Sequence, residues 1–283
     1  MKKYLTHLAL FMLLLSTGCQ KNVQPTGLGM SPAGALYRYD LVQYDYDVSQ
    51  PAAFTVSYDN KGKMANLFQK QGQSLSSFAL GYEGERLTIC TANDKSTQKI
   101  SYDANGRPVR VDYSTLTDTG KIVYSYDAGG KLIGYIDSVK QPLRLPLIYQ
   151  YLFTWDAQNN NVVKVVQNRL DLEGRPTLQQ YTLYSFDDKT NPFTTLPYLR
   201  YSSQLPGQAA ALVNRNNIVS SQVVGTVLDA SSPGSTPVFD TLTNYRTTRT
   251  YEYTGKGFPT KATETFIDLQ YNYTGKRTFK YEY

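Results

Sequence analysis

Lys99-Ile100-Ser101-Tyr102-Asp103-Ala104-Asn105-Gly106-Arg107-Pro108-Val109-Arg110-Val111-Asp112-Tyr113 is the stretch on which the reading of this chain turns. Ile100 and Tyr102 alternate with Lys99 and Ser101 before its centre, and Val109, Val111 and Tyr113 alternate with Arg110 and Asp112 after it. A period of two means half-buried strands. Between them, Asp103-Ala104-Asn105-Gly106 supplies an aspartate for the first turn position, an asparagine for the third and a glycine for a left-handed site. The stretch is therefore a β-hairpin. Pro108 donates no ladder hydrogen bond and belongs at an outward or edge position just past the turn.

Imperfect copies run through most of the chain. Phe54, Val56 and Tyr58 lead into Asp59-Asn60-Lys61-Gly62-Lys63, and Tyr82-Glu83-Gly84-Glu85-Arg86 is a shorter relative. Tyr124 and Tyr126 precede Asp127-Ala128-Gly129-Gly130-Lys131. Tyr149, Tyr151, Phe153 and Trp155 enter Asp156-Ala157-Gln158-Asn159, with Asn159 at the glycine site. Asp171-Leu172-Glu173-Gly174-Arg175-Pro176 repeats the opening turn. Late copies are Tyr251-Glu252-Tyr253-Thr254-Gly255-Lys256 and Tyr271-Asn272-Tyr273-Thr274-Gly275-Lys276. Other turns fall between these, at Lys70-Gln71-Gly72-Gln73, Ala92-Asn93-Asp94-Lys95 and Asp118-Thr119-Gly120-Lys121. Short turns at alternating ends make an antiparallel up-and-down meander, predicted at roughly 14 to 17 strands in an open or closed barrel-like sheet. From Phe186 to Gly207 the period breaks, and a long loop with one helical turn is expected. Residues 229–237, rich in Ser and Pro, read as an exposed loop.

The 25 tyrosines among 283 residues, with only 18% charged residues, suit pleated sheets. The chain reads as one β domain over 36–283 behind two short leading segments. Lys2 and Lys3 followed by the apolar run Leu5 to Leu15 form a secretory signal too short to span a bilayer. Ser16-Thr17-Gly18-Cys19 resembles a bacterial lipobox, which makes residues 1–18 a cleaved signal peptide and Cys19 a lipidated N-terminus; ordinary secretion is the alternative. Residues 19–35, with Pro25, Gly27, Gly29, Pro32 and Gly34, read as a flexible tether spanning roughly 20 to 25 Å on average. Cys90 is then the remaining thiol, read as a small apolar strand residue, so stability must come from sheet packing.

The formal net charge of +6 falls by two when a leader carrying Lys2 and Lys3 is removed. No basic cluster interleaved with aromatics marks a nucleic-acid surface. The single histidine, His7, lies in the leader, so the mature chain has no Ser-His-Asp or Cys-His catalysis and no histidine-ligated metal. A carboxylate pair for sugar hydrolysis needs no imidazole, but Asp59, Asp103, Asp127 and Asp171 occupy the turn position at which aspartate bonds its own backbone. The expectation is a non-enzymatic protein with no catalytic residues, no cofactor and no metal. Its candidate ligand-facing residues are the aromatic row Tyr58, Tyr82, Tyr102, Tyr126, Trp155 and Tyr253, and Tyr113, Tyr135 and Trp155 are candidates to line a groove.

The Tyr-Asp-x-x-Gly-Arg/Lys unit is similar to the YD repeats of Rhs-type shells, which implies hairpins strung into a curved sheet. The chain from about Phe54 also resembles a family of bacterial lipoproteins of unknown function with a porin-like fold. That resemblance rests on the lipobox, the tyrosine hairpins, Asp187-Asp188-Lys189-Thr190-Asn191-Pro192-Phe193, Asn214-Arg215-Asn216-Asn217 and Gly257-Phe258-Pro259-Thr260-Lys261. It implies a many-stranded antiparallel sheet and brings no catalytic set.

Together these point to binding or scaffolding at the outer membrane, held there through Cys19, with a glycan or another envelope protein as ligand. Gln20-Lys21-Asn22 lacks the acidic run that resembles a surface-export tag, which favours the periplasmic face. The alternative is an outer-membrane pore; against it, many strands read as about 6 to 8 residues where a spanning strand needs about 9 to 11.

Overall fold

The computed structural model describes residues 35–44, 52–158, 160–196, 213–228, 239–269 and 272–283. Cys19, the signal peptide, the tether up to residue 34, Asn159 and the 229–237 loop lie outside them. The strands of the first half are β1 (Arg38–Tyr44), β2 (Ala52–Tyr58), β3 (Met64–Gln71), β4 (Ser74–Glu83), β5 (Arg86–Ala92), β6 (Thr97–Tyr102), β7 (Pro108–Ser114) and β8 (Thr119–Tyr126). Those of the second are β9 (Leu132–Lys140), β10 (Leu147–Trp155), β11 (Val162–Leu170), β12 (Pro176–Thr190), β13 (Asn216–Leu228), β14 (Phe239–Tyr253), β15 (Pro259–Asp268) and β16 (Tyr273–Glu282).

Each strand pairs antiparallel with its sequence neighbours, and β1 closes against β16 to complete a 16-stranded barrel. The meander is thus closed, within the expected strand number. Strand length separates the two halves. Strands β2 to β8 stay mostly short, whereas β12 and β14 reach 15 residues each and β13 reaches 13. Asp187-Asp188-Lys189 was expected in a loop, yet β12 continues through it to Thr190. Asp187 Oδ1 accepts from the backbone N–H groups of Lys189 (2.9 Å) and Asn217 (3.2 Å), tying the charged end of β12 to β13.

Alternation sorts the side chains. Val56, Leu67, Phe78 and Ala92 face inward as cross-strand partners, as do Ile100, Val111 and Ile122, and all are buried. The residues between them face outward and are largely polar. Lys99, Asp112 and Lys121 form one outward cross-strand row, and Thr248, Thr250, Glu252, Lys276, Lys280 and Glu282 are exposed on β14 and β16. Val123 opposite Ile136, with Leu152 and Leu183, makes a smaller apolar area outside.

Because hairpins alternate ends, the barrel has two distinct rims. The turns at 59–63, 84–85, 103–107, 127–131, 156–161 and 254–258 share one rim with the start of β1. The turns at 72–73, 93–96, 115–118, 141–146 and 171–175 share the other, together with Leu269 and Asn272. We call these the closed rim and the open rim. At the closed rim, Leu36 and Leu196 are buried in the same apolar cluster as the inward strand residues. Phe193, on the 3-10 turn Pro192–Thr195, sets its ring edge-on to Tyr39 at 5.2 Å. The chain entering β1 and the chain leaving β12 therefore plug this end.

Candidate functional site

The predicted aromatic row forms along the closed rim, and a register shift accompanies each member. The ladder shifts between Ser57 and Tyr58, Gly81 and Tyr82, Ser101 and Tyr102, Ser125 and Tyr126, Thr154 and Trp155, and Glu252 and Tyr253. An extra residue at such a bulge re-aims the side chain along the rim. Tyr82 Oη then donates to the Met64 carbonyl, Tyr102 to Leu87 and Tyr126 to Pro108, each at 2.7 Å, and Trp155 Nε1 donates to Leu132 at 2.8 Å. Each acceptor directly follows the previous hairpin's turn or, for Leu87, stands one residue further on. The basic residue immediately before that acceptor covers the same ring: Lys63 on Tyr82 at 5.5 Å, Arg86 on Tyr102 at 5.7 Å, Arg107 on Tyr126 at 4.9 Å and Lys131 on Trp155 at 4.4 Å.

The repeated Tyr-Asp-x-x-Gly-Arg/Lys unit thereby reads as an interlock. Its turn closes one hairpin, its basic residue lies on the next hairpin's ring, and that ring's polar tip caps the backbone beside the basic residue. At the ends of the series Tyr58 Oη donates to the Leu36 carbonyl at 2.9 Å and Tyr251 Oη to Ile218 at 2.9 Å. Tyr253 departs from the pattern: its hydroxyl bonds the Asp187 carboxylate and Asn217 Nδ2, and its neighbour Tyr251 makes the backbone contact.

An asparagine network supports the plug. Asn191 Nδ2 donates to the Asn214 carbonyl at 3.0 Å, Asn214 Oδ1 accepts from Val162 N at 2.5 Å, and Asn161 Nδ2 donates to Asn216 Oδ1 at 3.0 Å. Asn191 Oδ1 also caps the 3-10 turn through Phe193 N. On the long-strand wall, Glu264 is 1% exposed between two cross-strand arginines, Arg249 at 2.5 Å and Arg277 at 2.7 Å. Burial by itself would lower Arg249; Glu264 and the tyrosines around it hold the guanidinium firmly charged.

Toward the open rim the inner wall changes character. A recess is lined by Phe78, Cys90, Gln98 and Tyr113. On β9, across β8 from it, Asp137 accepts from Tyr113 Oη at 2.8 Å. Gly120, opposite Tyr113, makes this possible, since a Cβ there would lie 2.3 Å from Tyr113 Cζ. Tyr135 stacks on Tyr151 with centroids 4.4 Å apart, and Tyr149 lies opposite Asp137. Burial pushes the Asp137 carboxyl above the usual carboxylate range, opposed by the Tyr113 hydrogen bond. Burial also raises Tyr151 to about 12 and Tyr113 and Tyr135 further. Phe78, Cys90 and Gln98 are buried, but Tyr113, Tyr135, Asp137, Tyr149 and Tyr151 keep partial exposure, so the wall offers flat rings, hydroxyl donors and one protonatable acceptor to a ligand.

Of the three residues read as lining a groove, Tyr113 lines this recess, Tyr135 stands on the neighbouring wall stacked on Tyr151, and Trp155 sits in the closed-rim interlock. Asp137, Tyr149, Tyr151 and Gln98 were not singled out from sequence. The inward alternation around Asp137, a lone acid among tyrosines, was the available signal. The turn aspartates are engaged locally: Asp59, Asp103 and Asp171 each accept two backbone N–H groups, and those bonds, ahead of neighbouring charge, lower their pKa values.

No protein-family model and no curated protein matches this sequence. Solved structures that share the fold include two porin-like proteins. A porin-like protein from Bacteroides uniformis aligns over 90% of this chain and 98% of its own, with a TM-score of 0.56 and 13% identity. A porin-like protein from Bacteroides vulgatus aligns over 88% and 98%, with a TM-score of 0.52 and 11% identity.

Proposed function

We propose that this chain is a non-enzymatic envelope protein, anchored through lipid on Cys19, that binds a ligand in the open-rim recess. The observation carrying the reading is the asymmetry of the barrel interior. Leu36, Phe193 and Leu196 fill the end at which the chain enters, while the half-exposed rings around Asp137 line the other. Plugging supports a receptacle over a conduit, and the outward row Lys99, Asp112 and Lys121 supports a water-facing wall, because a lysine on a lipid-facing strand at mid-bilayer costs about 2–4 kcal/mol and an aspartate somewhat less. The absence of histidine after His7 and the engagement of the turn aspartates support a role without catalysis. The ligand class that fits stacked tyrosines beside a carboxyl is a glycan presenting ring faces and hydroxyl groups. The periplasmic side of the outer membrane is the compartment the residues after Cys19 favour.

A glycan array probed with the chain from Gln20 onward tests this. Binding lost in Tyr151→Ala and Asp137→Asn but kept in Tyr82→Phe supports the recess. Binding lost only in Tyr82→Phe moves the site to the closed rim, and no binding to any envelope glycan counts against the glycan reading.

A further inference from the structure

The two rims carry opposite chemistry at their tips. Among the described residues, no closed-rim turn exposes a large hydrophobic side chain within it, Ile133 standing just past one of them, whereas three open-rim turns carry exposed leucine within them and Leu75 and Leu269 stand beside two more. Leu75, Leu116, Leu172 and Leu269 lie on or beside four of them, and Leu143 and Leu145 share the turn between β9 and β10. Leu143 is 105% exposed and holds a left-handed backbone with φ of 59°, a conformation non-glycine residues rarely adopt. Strain of that kind persists where the surrounding chain imposes it, and here it holds an apolar side chain fully in solvent.

The six leucines stand at five separate places on a circle rather than in one contiguous patch. A protein interface needs a close-packed apolar centre. A lipid surface is planar and takes single side chains one at a time into its interfacial region. Turns that follow one another on the same rim lie about 10 Å apart, two strand spacings, so Leu116, Leu143, Leu145 and Leu172 span three consecutive turns. The charges within the central turn are basic: Lys140 precedes the leucines and Arg144 stands between them, with no acid from 138 to 155. The acids flanking Leu172 are paired, Arg175 holding Asp171 at 2.8 Å and Glu173 at 3.0 Å.

We propose that the open rim seats on an anionic lipid bilayer, with the leucines inserted at the depth of the headgroups and Lys140 and Arg144 against lipid phosphates. The described chain begins at the opposite, closed rim, so these leucines are remote from its first described residue, Ala35. Seated this way, the recess mouth faces molecules carried on the bilayer.

Vesicle co-sedimentation with the chain from Gln20 onward, which has no lipid and keeps every described residue, is the test. Vesicles of phosphatidylethanolamine and phosphatidylglycerol are expected to retain the protein. Leu143→Asp with Leu145→Asp is expected to weaken retention by at least about tenfold, with an unchanged urea midpoint because both side chains are exposed. Lys140→Gln with Arg144→Gln is expected to weaken it by about fivefold per charge at low salt. No retention of the parent chain, or retention unaltered by the leucine pair, overturns the proposal. Concentration-dependent dimers without lipid that vanish in the same leucine variant also overturn it, in favour of a second copy as occupant. If the leucine pair misfolds, the Lys140 and Arg144 variant decides through its salt dependence.

Discussion

Asp103-Ala104-Asn105-Gly106-Arg107-Pro108 and Asp171-Leu172-Glu173-Gly174-Arg175-Pro176 are nearly the same turn, built at opposite rims. In both, the aspartate Oδ1 accepts from the residues two and four positions on, the arginine Nε returns to Oδ2, and the glycine takes a left-handed φ near 80°. The residue ahead of the turn differs. Tyr102 reaches to the previous hairpin's backbone, and Arg107 lies over the next hairpin's Tyr126. Leu170 has no hydroxyl to donate, and Arg175 pairs only with its own turn's acids. Turn geometry is thus local and portable, whereas the interlock needs an aromatic residue in each successive hairpin. One rim becomes a continuous clasp over a plug; the other stays a set of independent tips around a recess.

The largest expected effect that could break this contrast is at the clasp. Tyr126→Ala removes a packed ring, a hydrogen bond and the platform under Arg107, and should destabilise by about 3 kcal/mol. Leu172→Ala at the other rim should stay within about 0.5 kcal/mol. Urea melts compare them, and equal shifts would erase the distinction. Next, Asn214→Ala leaves Val162 N–H without its acceptor inside the plug and should cost about 2 kcal/mol; a neutral result would mean that the plug is not held by this network.

Arg107→Ala sharpens the comparison within the turn itself. It should lower stability by about 1 kcal/mol, since the contact with Tyr126 is partly desolvated. Arg175→Ala should leave the melt unchanged, because its ion pairs are exposed.

The smallest effects are in pH dependence, and there the rims should agree. Backbone hydrogen bonds lower Asp103 and Asp171 alike from 3.8, so each contributes stability that is complete above that value and lost as pH falls through the lowered folded pKa. Matching flattening of the acid limb in Asp103→Asn and Asp171→Asn is the expected result. Asp137 runs the other way. Its folded pKa is raised by burial, so stability declines as pH rises from 3.8 through the folded value, and Asp137→Asn should remove that decline.

Much of the clasp side was legible because turns are short-range. Asp103, Asn105 and Gly106 announce a reversal from four residues, and alternation on either side names the faces. The aromatic row was legible from its recurrence, but its acceptors were not, since a backbone carbonyl such as that of Pro108 carries no side-chain signal. Closure of β1 on β16 joins residues from opposite ends of the chain and leaves no local trace. The loop expected after Phe186 was misplaced because three consecutive charged residues look unlike strand, and the strand is held by Asp187 bonding across to Asn217, far away in sequence. On the open side, Leu116, Leu143 and Leu172 stand at turns where polar residues are usual. That inversion was readable, but it gained meaning only once alternation had put all of them on one rim.

The claim most exposed to test is that closing one rim makes this barrel a receptacle. Planar-bilayer recording with the chain from Gln20 onward tests it directly. Adsorption without discrete current steps is the expected result. Stepwise ionic conductance, persisting when Leu196 and Phe193 are left intact, would contradict a plugged interior.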